Sequence, residues 1–322
     1  MPNPVRAPEN TSVVATDNIE TGSFVPSTET ASERSTIVIA SYNIRYAVGS
    51  FLITGSMGRR LGLSMPKRRP RLVARKLGKA ATVFSDGRCL PRPEIVALQE
   101  ADKETLRAGR HHVARELAQE LGMNYAYAPS DRPGGDEPKS KQWYLDFEEH
   151  ISASDPGKTG VAILSRLPFA RVMRIDLPWR ECAWRPRLAL GATIQNGKGI
   201  IHIFNSHIDP HAEISEQIAQ HAAVLAKAAE LSGPTIMLGD FNTLSKRSSV
   251  QMRSFLESNG FSTPFQTSTA TWRAGPIRLH TDWIFIRGAK VIRHGVARPL
   301  NVSDHWPVWV EVDLRNESGA SI

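Results

Sequence analysis

The chain predicts a mixed α/β layered domain. Strand-like apolar runs recur from residue 36 to residue 314, only a few segments between them carry helical spacing, and no internal repeat or convincing linker follows residue 35. With 322 residues, 41% of them hydrophobic and 22% charged, the chain has ample material for a large core, and one domain is preferred to two.

Taken in order, residues 1–35 are rich in Ser, Thr, Glu, Asn and Pro without sustained periodicity, and are expected to be a disordered tail. The fold is expected to begin at TIVIASYNIR, where a β-branched run from Thr36 to Tyr42 reads as a buried strand. Gly49 to Pro66 reads as a long loop carrying Phe51, Leu52, Ile53, Leu61, Leu63 and Met65 beside Arg59 and Arg60. From Arg71, apolar residues at Leu72, Val73, Leu77, Ala80 and Phe84 follow helical spacing, with Arg75, Lys76 and Lys79 between them. A strand at EIVALQE follows, then a helix from about Glu104 to Leu121 and a polar loop from Pro129 to Gly157 that contains Trp143 and Tyr144. GVAILS, RLALGATIQ, IIHIFNSHI, TIMLGDF, TDWIFIR and PVWVEVDL read as strands, with a helix near Ser215 to Leu231 between the third and fourth. Residues 316–322 are expected to be a disordered end.

Composition narrows the functional class. No apolar run approaches the ~20 residues needed to cross a bilayer, and the N-terminus lacks the basic-then-apolar pattern of a secretory signal, so a cytoplasmic location is expected. Two cysteines, Cys89 and Cys182, are too few for a disulfide framework or a structural zinc site and read as inert packing residues. Net charge is +8, but residues 51–85 hold nine Lys or Arg and no Asp or Glu, so the remainder is close to neutral. A local positive patch favours a phosphate-bearing partner, nucleic acid or an anionic lipid surface, over a solvated basic face with no partner only when other signals agree.

Those signals lie at strand ends. Tyr42-Asn43, Gln99-Glu100, Asn205-Ser206-His207, Gly239-Asp240-Phe241-Asn242, His280-Thr281-Asp282 and Ser303-Asp304-His305 each close an apolar run with polar side chains. Taken singly, a strand-end Asn or Asp usually makes a turn with its own backbone. Six together point to a common rim, where layered α/β sheets bind ligands. Gathering Glu100, Asp240, Asp282 and Asp304 there would be costly unless a cation or a protonated histidine offset the repulsion. Hard oxygen ligands without cysteine indicate Mg²⁺ or Mn²⁺, and such an ion beside two histidines suits hydrolysis of phosphate esters.

At this point SYNIR, IVALQE, GVAILSR, NSHID, GDFN, TDWIF and SDHWPV, in this order, resemble the successive motifs of the endonuclease/exonuclease/phosphatase superfamily. That superfamily includes DNase I-like nucleases, exonuclease III-type AP endonucleases, neutral sphingomyelinases and inositol-polyphosphate 5-phosphatases. The resemblance spans residues 36–313 and implies a two-sheet, four-layer α/β sandwich of DNase I type, with residues 36–315 as the catalytic domain.

The resemblance also implies roles. Glu100 is expected to be the principal metal ligand with Asn43 beside it, and Asp304 a second carboxylate of the metal site. Asp240 would position or activate the attacking water, and Asn242 would hold the phosphate or the metal. His305 would contact the scissile phosphate with Asp282 as its orienting carboxylate, since an imidazole needs a partner to fix its tautomer. His207 resembles the second histidine of the DNase I and sphingomyelinase branches, which stabilises charge or protonates the leaving oxygen; exonuclease III-type members have an Asn-like residue there. Arg45 and Arg187 resemble arginines that touch phosphate, and Tyr125, Tyr127 and Tyr144 are equal candidates for a tyrosine beside it. Gly239 is expected to let the backbone crowd the site, with the two-residue spacing sending Asp240 and Asn242 to one side.

The spacing of His207, Asp209 and His211 could suggest a metal cluster, but Pro210 interrupts any helix that would bring both histidines onto one face. Neither G-x-S-x-G nor H-E-x-x-H occurs, which argues against serine hydrolases and zincins. The expected activity is divalent-metal-dependent phosphodiester hydrolysis, with nucleic acid favoured over a phospholipid or sphingomyelin-type head group as substrate. A non-catalytic binding member of the same fold is the alternative from another class. Residues 49–79 are the expected contact with an anionic partner, and no obligate protein partner is inferred.

Overall fold

The computed structural model describes residues 18–26, 35–49, 68–130, 151, 154–178, 186–197, 199–298 and 301–314. The expected apolar and basic loop with Phe51, Leu52, Ile53, Arg59 and Arg60, along with Trp143, Tyr144, Cys182 and residues 316–322, lies outside them.

In chain order the elements are β1 (Glu20–Ser23), β2 (Thr36–Asn43), α1 (Arg68–Asp86), β3 (Ile95–Gln99), α2 (Val113–Leu121), β4 (Asn124–Pro129), β5 (Gly160–Ser165), β6 (Phe169–Asp176), β7 (Leu188–Asn196), β8 (Gly199–His207) and α3 (Ile214–Ala229). They continue with β9 (Thr235–Asp240), α4 (Lys246–Ser258), β10 (Trp272–Ala274), β11 (Ile277–Leu279), β12 (Asp282–Arg287), β13 (Lys290–Val296) and β14 (Val308–Asp313). A seven-stranded sheet runs β1-β4-β5-β3-β2-β14-β13, and a five-stranded sheet runs β12-β9-β8-β7-β6. A short ribbon, β10-β11, stands apart.

Strand alternation builds the layers. On β2, Ile37 and Ile39 face the second sheet while Ala40 and Tyr42 face α1 and α2; on β3, Ile95 and Ala97 face inward and Val96 and Leu98 outward. Both faces are buried, which explains why these strands read as continuous apolar runs. Leu190, Ile203, Leu238 and Ile284 of the five-stranded sheet complete the inner core, and Val224 and Ala228 of α3 with Met252 and Leu256 of α4 cover its far side. The result is helix, sheet, sheet, helix: the expected four-layer sandwich.

Each sheet contains one parallel pair, β2 with β3 and β8 with β9, bridged by crossover helices α1 and α3. The carboxyl ends of those four strands carry Asn43, Glu100, His207 and Asp240. The antiparallel neighbours then start where these strands stop: Asp282 of β12 pairs in register with Asp240, and Val308 of β14 pairs with Ser41, three residues after His305. Topology thus delivers all six polar strand ends to one rim.

Several expectations are corrected. The helix placed at Glu104–Leu121 begins only at Val113, because His112 accepts a hydrogen bond from the Arg115 N–H as its N-cap; the helix ends at Gly122, whose φ of 61° makes the left-handed stop. The expected tail contains β1, pinned to β4 by backbone pairing and by Glu20, which receives Lys103 at 2.6 Å, Tyr125 Oη at 2.7 Å and His112 at 3.1 Å. Those three partners hold the Glu20 carboxyl well below its ordinary pKa, led by His112 and against the opposing effect of burial. Cys89 is exposed rather than packed. Strands β4, β6 and β13 and helix α4 were not anticipated.

α1 buries Val73, Leu77, Ala80, Ala81, Val83 and Phe84 and leaves Arg68, Arg71, Arg75 and Lys79 exposed. It therefore packs on the sandwich and also presents a basic face. Among the described residues no helix is long and apolar enough to cross a membrane.

Candidate active site

The rim converges on one oxygen. Asp240 Oδ2 accepts a hydrogen bond of 2.9 Å from Asn43 Nδ2 and lies 3.7 Å from Nε2 of both His207 and His305. Asn43 Nδ2 also donates to Glu100 Oε1 at 3.1 Å, and its Oδ1 accepts from the Arg45 N–H at 3.0 Å. One amide thereby joins two carboxylates from different sheets. His305 Nδ1 donates to Asp282, 2.9 and 3.1 Å from its two oxygens, and Asp282 is itself held by Thr281 Oγ1 at 2.9 Å and through its N–H by Thr271 Oγ1 at 3.0 Å. With Nδ1 fixed, His305 presents Nε2 to Asp240.

The chain takes unusual backbone angles to achieve this. Non-glycine residues Arg45, Tyr46, Ala47, Glu100 and Asn242 all have φ between 41° and 57°. Left-handed residues cluster where a fold is held to a purpose against local preference. Asn242 is not extended beyond β9, so it does not follow strand alternation; its N–H donates to Asp240 Oδ1 at 3.0 Å and its Nδ2 to the Ile208 carbonyl at 2.8 Å. Gly239 crowds the neighbouring strand instead of the site: a Cβ there would sit 1.9 Å from the Ser206 carbonyl.

Burial and charge set the protonation states. Burial, reinforced by Asp282 and opposed by His305 and by the Asn43 hydrogen bond, raises the Asp240 carboxyl to about 7. Burial disfavours the His305 imidazolium, but Asp282 and Asp240 outweigh it and carry its pKa up to about 10. The two form a coupled pair, with a carboxylate made more basic beside a histidine kept protonated.

A group of possible ligand atoms lies at the centre of the rim. Asp240, Asp282 and His305 each offer a ligand atom, all within 4.8 Å of one another. Glu100 is linked to this group through Asn43, and buried carboxylates of this kind could hold a hard cation. Their buried, oxygen-rich character fits Mg²⁺ or Mn²⁺. Asn43 turns its nitrogen to both acids in this arrangement, and its Oδ1 accepts from the Arg45 N–H. Asp304 is taken up elsewhere: its Oδ2 lies 2.9 Å from Arg45 Nη1 and accepts from Trp272 Nε1 at 3.1 Å. Arg45 is correspondingly buried against Asp304, and Arg187 is buried with Nη1 3.1 and 3.2 Å from the two nitrogens of His207. Both arginines lie beside site residues, Arg45 at Asp304 and Arg187 at His207. Tyr125 and Tyr127 face α2 and pack on His112, away from the rim.

Sequence reasoning did not single out the supporting network. Asn205 Nδ2 donates to the carbonyls of Leu98 at 2.9 Å and Ala162 at 2.8 Å, and Gln99 Nε2 donates to Asn205 Oδ1 at 2.6 Å. These bonds cross between the sheets beneath the site. Thr271 and Trp272 carried no sequence signal, because their partners are residues of other segments.

The two-sheet sandwich, with acids and histidines gathered at one rim, is shared with known proteins. The sequence model described as Endonuclease/Exonuclease/phosphatase family matches residues 40–305, and the chain belongs to that family. It is similar in structure to an endonuclease/exonuclease/phosphatase from Beutenbergia cavernae DSM 12333, at 16% identity and TM-score 0.60 over 87% of this chain and 72% of that one. It is also similar to ANGEL2, a 2′,3′-cyclic phosphatase in complex with adenosine-2′,3′-vanadate, at 15% identity and TM-score 0.57 over 86% and 95%. A third likeness is to D. rerio TDP2 complexed with single strand DNA product, at 16% identity and TM-score 0.54 over 87% and 99%. No curated protein sequence matches the chain.

Proposed function

We propose that the chain is a divalent-metal-dependent phosphodiester hydrolase that acts on nucleic acid. The observation that carries this reading is the convergence on Asp240 Oδ2, with Asn43 at 2.9 Å and His207 and His305 each at 3.7 Å. Asp240, made more basic by burial, holds and deprotonates a water near neutral pH. His305, kept cationic by Asp282 and Asp240, faces the phosphoryl oxygens as charge builds on them in an in-line attack. His207, beside Arg187 and 3.7 Å from the same Asp240 oxygen, stabilises the same charge or protonates the leaving oxygen. Mg²⁺ or Mn²⁺ held by Glu100 would neutralise phosphoryl oxygens, with Asp240 kept for the water and Asp282 for His305. Nucleic acid is favoured by the exposed basic face of α1, whose Lys76 Nζ donates to the Asn301 carbonyl and so abuts the segment that carries Asp304 and His305.

The test is hydrolysis of DNA, RNA, sphingomyelin, phosphoinositides and a chromogenic phosphodiester with and without EDTA. Asp240→Asn and His305→Ala are each expected to lower kcat by at least about 10²-fold with KM little changed, the loss typical of removing one general base or one charge-stabilising group. Activity that survives EDTA, or an unchanged rate in either variant, would sink the mechanism.

A further inference from the structure

Beside the acids and histidines, the same rim bears a basic cavity of about 790 Å³. Its location follows from the register of β9 and β12. Asp240 ends one strand and Asp282 opens the other directly opposite, so the segments after Asp240 and before Asp282 leave the same end of the sheet. Thr243, Ser245 and Lys246 from the first segment and Arg278 and His280 from the second line the cavity, closed by Arg298.

The lining is chemically one-sided. It contains three cations, six Ser or Thr residues and no Asp or Glu. Lys246 and Arg278 have no acidic partner among the described residues. Arg298 is held in place by donating to the Ala270 carbonyl and by lying 4.6 Å over the Trp306 ring. Burial and the nearby Arg278 both lower its pKa, which marks two guanidinium groups crowded without a counter-charge. The wall is braced as well: Thr243 Oγ1 donates to the His280 carbonyl at 2.5 Å and accepts from Trp283 Nε1 at 3.0 Å.

Cations and hydroxyls without carboxylates are the partners of phosphate oxygens, where Lys, Arg, Ser and Thr make most backbone contacts to nucleic acid. The cavity offers no open aromatic face for a base, since its one ring, His280, already stacks on Trp283 at 3.6 Å. Its volume also exceeds what a single phosphate needs, leaving room for a sugar beside it.

We propose that this cavity binds a second phosphate of the substrate, the one flanking the scissile phosphodiester along a nucleic-acid strand. This rests on the hydrolase reading above and extends it from one phosphate to two. Lys246 and Arg278 supply the charge, and Arg298 with the surrounding hydroxyls sets the position.

The test compares the wild type with Lys246→Ala, Arg278→Ala and the double variant, with Lys227→Ala on the exposed face of α3 as a charge control. Binding of a labelled, hydrolysis-resistant phosphorothioate oligonucleotide is followed by fluorescence anisotropy across salt concentration. The double variant is expected to weaken binding at least tenfold and to flatten the dependence of log K on log salt by about 0.7, the value for one single-strand phosphate left without its cations. The control is expected to stay within twofold. In hydrolysis, the loss in kcat/KM on an oligonucleotide should exceed the loss on bis(4-nitrophenyl) phosphate, which has one phosphate, by tenfold or more. Equal losses on both substrates, unchanged oligonucleotide binding, or weakened binding of an inositol polyphosphate alone would overturn the proposal. If no phosphodiester is cleaved at all, the hydrolase reading fails, and the anisotropy experiment still decides whether the cavity binds a strand.

Discussion

Gly239 shows how closely one residue is prescribed. Its φ of 139° is open to glycine, and any Cβ would stand 1.9 Å from the Ser206 carbonyl of the paired strand. Asp240 follows immediately, so the conformation at Gly239 aims the carboxylate that the histidines flank. Gly239→Ala is therefore expected to destabilise the fold by about 3 kcal/mol or more, through overpacking and backbone strain together. A urea denaturation midpoint equal to that of the wild type would contradict this. The presence of Gly before Asp was plain in the sequence. Which neighbour it made room for was not, because Ser206 becomes adjacent only when β8 and β9 pair in parallel.

At the scale of elements, two crossover units do the positioning, one in each sheet. β2-α1-β3 brings Asn43 beside Glu100, β8-α3-β9 brings His207 beside Asp240, and polar side chains buried between the sheets lock one unit to the other. Asn205 is the main link, satisfying the carbonyls of Leu98 and Ala162 while accepting from Gln99. Asn205→Leu would leave these groups buried without partners, and we expect a loss of about 2–4 kcal/mol in urea unfolding. A loss below about 1 kcal/mol would show that the link is dispensable. Elements with strong periodicity, such as β2, β9 and α1, were legible from the sequence. β1 and α4 were not: β1 holds through Lys103, His112 and Tyr125, residues at least eighty positions away, and α4 starts from a reciprocal Ser245 and Ser248 cap with little apolar pattern.

For the whole molecule, stability should depend on pH through a residue outside the chemistry. His221 on α3 is fully buried, its ring centroid 4.4 Å from that of Phe241, and neither ring nitrogen has a hydrogen-bond partner among the described residues. Burial alone pushes its pKa down to about 3. A pKa depressed in the folded state means that the neutral ring contributes stability above the unfolded value of about 6.5, and that this contribution is lost as pH falls from there toward 3. His280, lowered to about 4 chiefly by burial, acts in the same direction. His221→Leu is expected to leave stability at pH 7 within about 1.5 kcal/mol, as a volume-conserving swap, and to move the acid unfolding midpoint to lower pH. An unmoved midpoint would exclude His221 from acid unfolding. By itself, the sequence determined the fold class, the single rim and most of the residues that meet there, because strand period and polar strand ends are set by local chain geometry. Only the tertiary structure decided their pairings. Asn43 reaches Glu100 and Asp240 across 57 and 197 positions of chain, Arg45 claims Asp304, and Lys246 joins Arg278 around one cavity. Such pairings depend on register and layer packing, which no local pattern encodes.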